Sequence, residues 1–199
     1  MLKYAAMSEM LSTLVELQRL KRLDRTGWTL RGLPNGTESV GAHSFGVAVT
    51  AMMIGDEVRK EGVDVDVEKV IRIALLHDWA EARVGDMPRT GTLYFGADVR
   101  RQAEQHAFND IVGSLTSAAV YQKLYEEYEH RESLESRLVK AADVIDLLIQ
   151  VLALERAGAR GLDEFWVVAE QPDFQLQGSA KTTVERLIRE LKNARSEFV

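Results

Sequence analysis

Only three prolines, Pro34, Pro88 and Pro172, interrupt the 199 residues, and between them apolar side chains recur at helical spacing. A period near 3.6 puts residues three and four apart on one face, whereas a half-buried strand needs strict alternation. Tyr4, Met7, Leu11, Leu14 and Leu17 or Gln18 suit one face of a first helix. Ser39 is placed to cap a second helix that carries Phe45, Val49, Met52 and Met53. Val67, Val70, Ile71, Ala74 and Leu75 mark a third, which is expected to run on through His77 and Asp78. Further helices are expected from about Asp98 to Leu115, across LYEEYE (124–129), from Leu134 to Ala157, and around Val184, Leu187, Ile188 and Leu191. In the Leu134–Ala157 helix, Leu138, Val139, Ala142, Ile145, Leu148, Ile149 and Leu152 read as inward. TGWTLRGL (26–33) is the one candidate for a short extended piece. The expected fold is all-α, a bundle of about six to eight helices in a single domain over 1–199.

Composition narrows the function. With no cysteine there is no disulfide framework, thiolate zinc site or cysteine nucleophile. Thirty-one acidic against 25 basic residues give a net charge of -6, which argues against a nucleic-acid polymer or an anionic membrane as partner. Glu9 and Glu16 break the apolar N-terminal stretch, and VIDLLIQVLALE, with Asp146 and Gln150, is too short to cross a bilayer. A cytoplasmic protein is expected. No glycine-rich phosphate loop follows a strand and no G-x-S-x-G elbow is present, so nicotinamide, P-loop and serine-hydrolase readings fail. Met7, Met10, Met52 and Met53 read as core filling.

The chemistry gathers where polar groups sit inside otherwise apolar helices: His43, the pair His77-Asp78, and Asp143. A buried carboxylate is costly unless it is paired, hydrogen-bonded or bound to a cation. Two imidazoles and two carboxylates form a mixed N/O set for a divalent ion that leaves positions open to water and substrate. His43 and His77 lie 34 residues apart and Asp143 follows Asp78 by 65, which places the ligands on three helices. Glu81, four residues after His77, is expected on the same helix face as a proton donor or water-orienting base. Asp146 reads either as an outer carboxylate near the ligands or as a surface group. His106 and His130, in strongly charged segments, read as a solvated face rather than a second metal site.

This ordered set resembles the HD-domain metal-dependent phosphohydrolase superfamily, and its 5′-deoxynucleotidase branch in particular. The likeness spans roughly residues 15 to 156. RTGW (25–28), ES-x3-H (38–43), HD-x2-E-x4-D-x-P (77–88) and K-x2-D (140–143) carry it, with LYEEYE in support. The resemblance implies metal ligation by His43, His77, Asp78 and Asp143. It implies catalytic roles for Glu81 and Asp78, and phosphate contact by Arg25. It implies sugar positioning and exclusion of a 2′-hydroxyl by Trp28, and acceptance from a sugar hydroxyl by Asp86. Thr26 and Gly27 separate Arg25 from Trp28, where some bacterial members have the two adjacent.

The activity so implied is hydrolysis of deoxyribonucleoside 5′-monophosphates to deoxynucleoside and phosphate, by water activated at one divalent ion. Mn2+ or Co2+ is the expected metal, with Mg2+, Ni2+ and Zn2+ compatible, and the expected assembly is a homodimer. Such an ion lowers the pKa of its water from ~16 toward ~7, and arginine supplies paired donors to phosphate oxygens. The alternatives are a phosphohydrolase of the same superfamily acting on a nucleoside triphosphate, cyclic or signalling nucleotide, or a non-catalytic metal-dependent nucleotide sensor.

Overall fold

The computed structural model describes residues 8–170 and 172–197, and among them every regular element is helical. In chain order these are α1 (Glu9–Leu17), α2 (Thr26–Thr29), α3 (Val40–Lys60), α4 (Val67–Leu76), α5 (Glu81–Val84) and α6 (Arg89–Phe95). Then come α7 (Ala97–Val112), α8 (Ala118–His130), α9 (Leu134–Arg156), α10 (Asp163–Trp166) and α11 (Gly178–Ser196). Seven of these have nine residues or more, in line with the expected bundle. None of the described helices is long and apolar enough to cross a membrane.

The chain forms two compact units, each assembled from two segments: Met1–Ala42 with Asp78–Lys123, and His43–His77 with Leu124–Val199. In the first, α7 is the common packing partner of α1, α5 and α6. Its Ala107, Phe108, Ile111 and Val112 are buried, and Trp79 stacks on Phe108 at 6.3 Å between ring centroids. Thr13, the buried residue of α1, donates its hydroxyl to the Ile111 carbonyl at 3.2 Å.

In the second unit, α9 packs against α4, α10 and α11. Its buried residues, among them Leu138, Val139, Ala142, Ile145 and Leu148, cover more than one stripe, as a helix flanked on several sides requires. Ser133 caps it, accepting from the Ser136 amide at 3.1 Å, while Ser136 reciprocates at 3.2 Å. Asp66 caps α4 by accepting from the Lys69 amide at 3.0 Å. Leu148 is fully buried. Leu148→Ala is therefore expected to lower unfolding stability by ~2–5 kcal/mol, read from thermal denaturation.

Several expectations change. TGWT is a helical turn, α2, not an extended piece; extended pairing nearby is limited to one isolated bridge between Asp24 and Ser39. Ser39 does cap α3, accepting from the Ala42 amide at 3.1 Å. Yet Phe45, Val49, Met52 and Met53 are exposed, and the buried face of α3 carries Val47, Ala51, Ile54 and Val58. On α1, Met10, Leu11 and Leu14 are also exposed, so Met10, Met52 and Met53 do not fill a core here. Tyr4 and Met7 lie outside the described residues. Ile149 and Leu75 are exposed rather than inward.

Candidate metal centre

The second unit brings His43, His77 and Asp143 together from α3, the C-terminal cap of α4, and α9. Each offers a ligand atom within 4.8 Å of the other two. Both imidazoles are buried, at 1% and 4% exposure. Each ring is held from behind. His77 Nδ1 lies 2.7 Å from the Ala74 carbonyl, and His43 Nδ1 lies 2.8 Å from Asp146 Oδ2. A carbonyl and a carboxylate only accept, so Nδ1 is the donor in both rings and Nε2 is the atom each ring offers to a metal.

His43 Nε2 sits 3.2 Å from Asp143 Oδ1. A neutral imidazole has one N–H, already given to Asp146. The second contact therefore brings a nitrogen lone pair against a carboxylate oxygen, which suits a cation shared by the two. Two imidazole nitrogens and a carboxylate thus fit a divalent ion in donor type, burial and orientation. Lys140 Nζ, 2.7 Å from Asp143 Oδ2, and the Tyr128 hydroxyl at 3.4 Å engage the other carboxylate oxygen. Burial alone would raise the Asp143 pKa, but the Lys140 ammonium holds it well below the usual carboxylate range.

Asp78, peptide-bonded to His77, opens the other segment of the first unit. The expected continuous helix does not occur, because α4 stops at Leu76 and the chain turns. Bonds from the Glu81 amide to the Asp78 carbonyl (3.1 Å) and from Ala82 to Trp79 (3.1 Å) close that turn. Glu81 therefore starts its own short helix, α5. It is buried, and its Oε2 has no hydrogen-bond partner among the described residues. Burial, reinforced by the charges of Asp78 and Asp86, pushes its pKa up to about 10 against the pull of Arg25 and Arg100.

Arg25 Nη1 reaches Asp78 Oδ2 at 3.5 Å and Asp86 Oδ1 at 3.4 Å. The Thr26 amide donates to Asp86 Oδ2 at 2.5 Å, and the Thr26 hydroxyl donates to the Asp86 carbonyl at 2.7 Å. Asp86 thus ties the 25–28 turn to the loop after α5. Trp28 is 1% exposed, and its indole N–H donates to Glu38 Oε2 at 2.7 Å, linking RTGW to ES-x3-H. Arg100 was not singled out by the sequence, lying among ordinary charges in DVRRQAE. It is held by Glu104 at 2.7 Å and Thr92 at 3.4 Å and contributes its charge to Glu81 and Asp78. Nothing in the local pattern marks it; only the fold does. His106 and His130 are both exposed, on α7 and at the end of α8.

Residues 17–171 match the HD domain family, and the chain belongs to it. It is 34% identical over 169 residues to 5′-deoxynucleotidase HDDC2 of Danio rerio, covering 82% of this chain and 80% of that protein. It is 32% identical over 155 residues to 5′-deoxynucleotidase YGK1 of Saccharomyces cerevisiae, covering 75% and 69% respectively. A solved conserved hypothetical protein from Pyrococcus furiosus superposes with a TM-score of 0.79 at 34% identity, over 92% of this chain and 99% of that one.

Proposed function

We propose that this chain is a metal-dependent 5′-deoxynucleotidase that hydrolyses deoxyribonucleoside 5′-monophosphates. The observation that carries the reading is the triad of buried His43 and His77 with half-buried Asp143, both Nδ1 atoms being engaged from behind. Asp78, next in the chain after His77, is the fourth ligand in this reading. Relatives named as 5′-deoxynucleotidases supply the substrate class. A divalent ion, Mn2+ or Co2+ in this reading, would supply an acidified water and charge neutralisation at the phosphoryl group.

The remaining steps fall to the protein's own groups. Arg25, steadied by Asp86, presents its guanidinium to the phosphate oxygens. As phosphorus bonds to the water oxygen and parts from the 5′ oxygen, that leaving oxygen needs a proton. Glu81, whose pKa burial pushes up to about 10 in the metal-free chain, is the group suited to donate it. Trp28, fixed by Glu38, sets the 25–28 turn against which the sugar is read, with Asp86 as the acceptor for a sugar hydroxyl. Exposed apolar residues on α1 (Met10, Leu11, Leu14) and, separately, on α3 (Phe45, Met53) support a homodimer, which sedimentation would test. The nucleotide substrate goes with a cytoplasmic setting.

The decisive experiment is phosphate release from paired ribo- and deoxyribonucleoside 5′-monophosphates, with chelation and Mn2+ or Co2+ add-back. Deoxy-selective, metal-restored release is expected. Cleavage of triphosphates or cyclic nucleotides instead would move the substrate class, and binding without turnover would make the protein a sensor. Arg25→Ala is expected to lower kcat/KM by ~10–100-fold, the scale of one charge-assisted contact to phosphate, with Mn2+ affinity retained.

A further inference from the structure

We propose that Asp146 is the positioning residue for His43, and that the missing side chain of Gly46 is what admits it. This rests on the metal centre of the preceding reading. Asp146 stands one turn beyond Asp143 on α9, and Gly46 one turn beyond His43 on α3. The Asp146 carboxylate lies over the Gly46 backbone. A Cβ at residue 46 would fall 2.7 Å from its Cγ, and closer still to Oδ1. No side chain can occupy that notch unless the carboxylate moves. Its other oxygen, Oδ2, is the one 2.8 Å from His43 Nδ1.

Glycine inside a helix is unfavourable relative to alanine, so Gly46 calls for a compensating role, and the close approach of Asp146 provides one. Asp146 is itself buried, and an unbonded carboxylate there would be costly. Bonding to Nδ1–H answers that cost and sets the ring tautomer at once. It fixes the imidazole plane and turns the Nε2 lone pair toward Asp143, 3.2 Å away. Outer partners of this kind orient metal-binding imidazoles and raise their basicity. His77 receives the same service from a backbone carbonyl, which no side-chain substitution removes. His43 is therefore the mutable half of the pair.

The test uses the full chain stripped of metal, with Mn2+ alone as the calorimetric probe, Co2+ absorption spectra, and 15N spectra of the histidine rings. Asp146→Ala and Gly46→Ala are each expected to weaken Mn2+ binding ~10–100-fold, to alter the Co2+ spectrum, and to release His43 from the single Nδ1–H tautomer. The double variant should bind no more weakly than Asp146→Ala, because both substitutions remove the same contact. Asp146→Asn keeps an acceptor oxygen of the same shape, so it should retain the Nδ1–H signal and lose less affinity than Asp146→Ala. That variant also carries the test if the alanine form does not fold. Unchanged Mn2+ affinity and tautomer in Asp146→Ala, additive losses in the double variant, or equal losses in the Asn and Ala variants would each overturn the proposal. These effects in a chain that releases no phosphate would leave Asp146 in its role while removing the hydrolase reading.

Discussion

Asp143→Asn is expected to lose tight Mn2+ binding and to reduce phosphate release by at least ~10³-fold, more than the removal of a single oxyanion donor. Asp143 is the anionic member of the triad, and one of its oxygens faces His43 Nε2 at 3.2 Å. Its other oxygen is already committed to Lys140 at 2.7 Å. Asparagine preserves the size and can still accept from Lys140, so the metal-free chain should still fold, with thermal stability lowered by the lost charge attraction to Lys140. What disappears is the negative charge opposite the ion. Calorimetry with Mn2+, together with turnover at saturating metal, checks this. Wild-type turnover in the asparagine variant would remove Asp143, and with it the triad, from the active site.

Glu81→Gln should do two opposed things. Turnover is expected to fall by ~10²–10⁴-fold, the range assigned to a lost general acid. Stability of the metal-free protein should at the same time stop depending on alkaline pH. Burial beside Asp78 and Asp86 raises this carboxyl from its ordinary 4.5 to about 10. Between those values the folded chain keeps a proton that the unfolded chain releases. The stabilising effect of the neutral group is therefore complete below the ordinary pKa and is lost as pH rises toward 10, with a slope of up to ~1.4 kcal/mol per pH unit. Glutamine cannot ionise, so its unfolding midpoint should pull ahead of wild type as pH increases. Denaturation of both proteins in chelator from pH 6 to 9 measures the difference; parallel curves would mean that Glu81 is ionised in the fold.

The helical class was legible because periodicity is local, and so were the ligands, because each stands out as a polar group in an apolar run. What periodicity cannot say is which face points inward. Phe45, Val49 and Met53 make as good a stripe as Val47, Ala51 and Ile54, and only packing decided for the second. The stop of α4 at Leu76 was missed for a related reason: HDWAEARV has no proline or glycine before Gly85 to break it. TGWT, the one candidate for an extended piece, is instead a helical turn whose Thr26 is fixed by Asp86, 60 residues on, and whose Trp28 is fixed by Glu38. Asp146 and Arg100 acquired meaning in the same way. Asp146 meets His43 across 103 residues, and Arg100 lends its charge to Glu81 and Asp78 from another helix, contacts that no window of a dozen residues contains.

The bond between His43 and Asp146 spans 103 residues of chain. During synthesis His43 and His77 therefore emerge well before the carboxylates of α9, while the first unit's second segment, Asp78–Lys123, is made in between. A nascent chain ending before Asp143 holds two of the triad's three groups, His43 and His77, and lacks its carboxylate. The metal site is in this sense a late product of folding. Contacts of such long range close slowly, after local helices have formed. Completion of the triad therefore reports that α9 has docked.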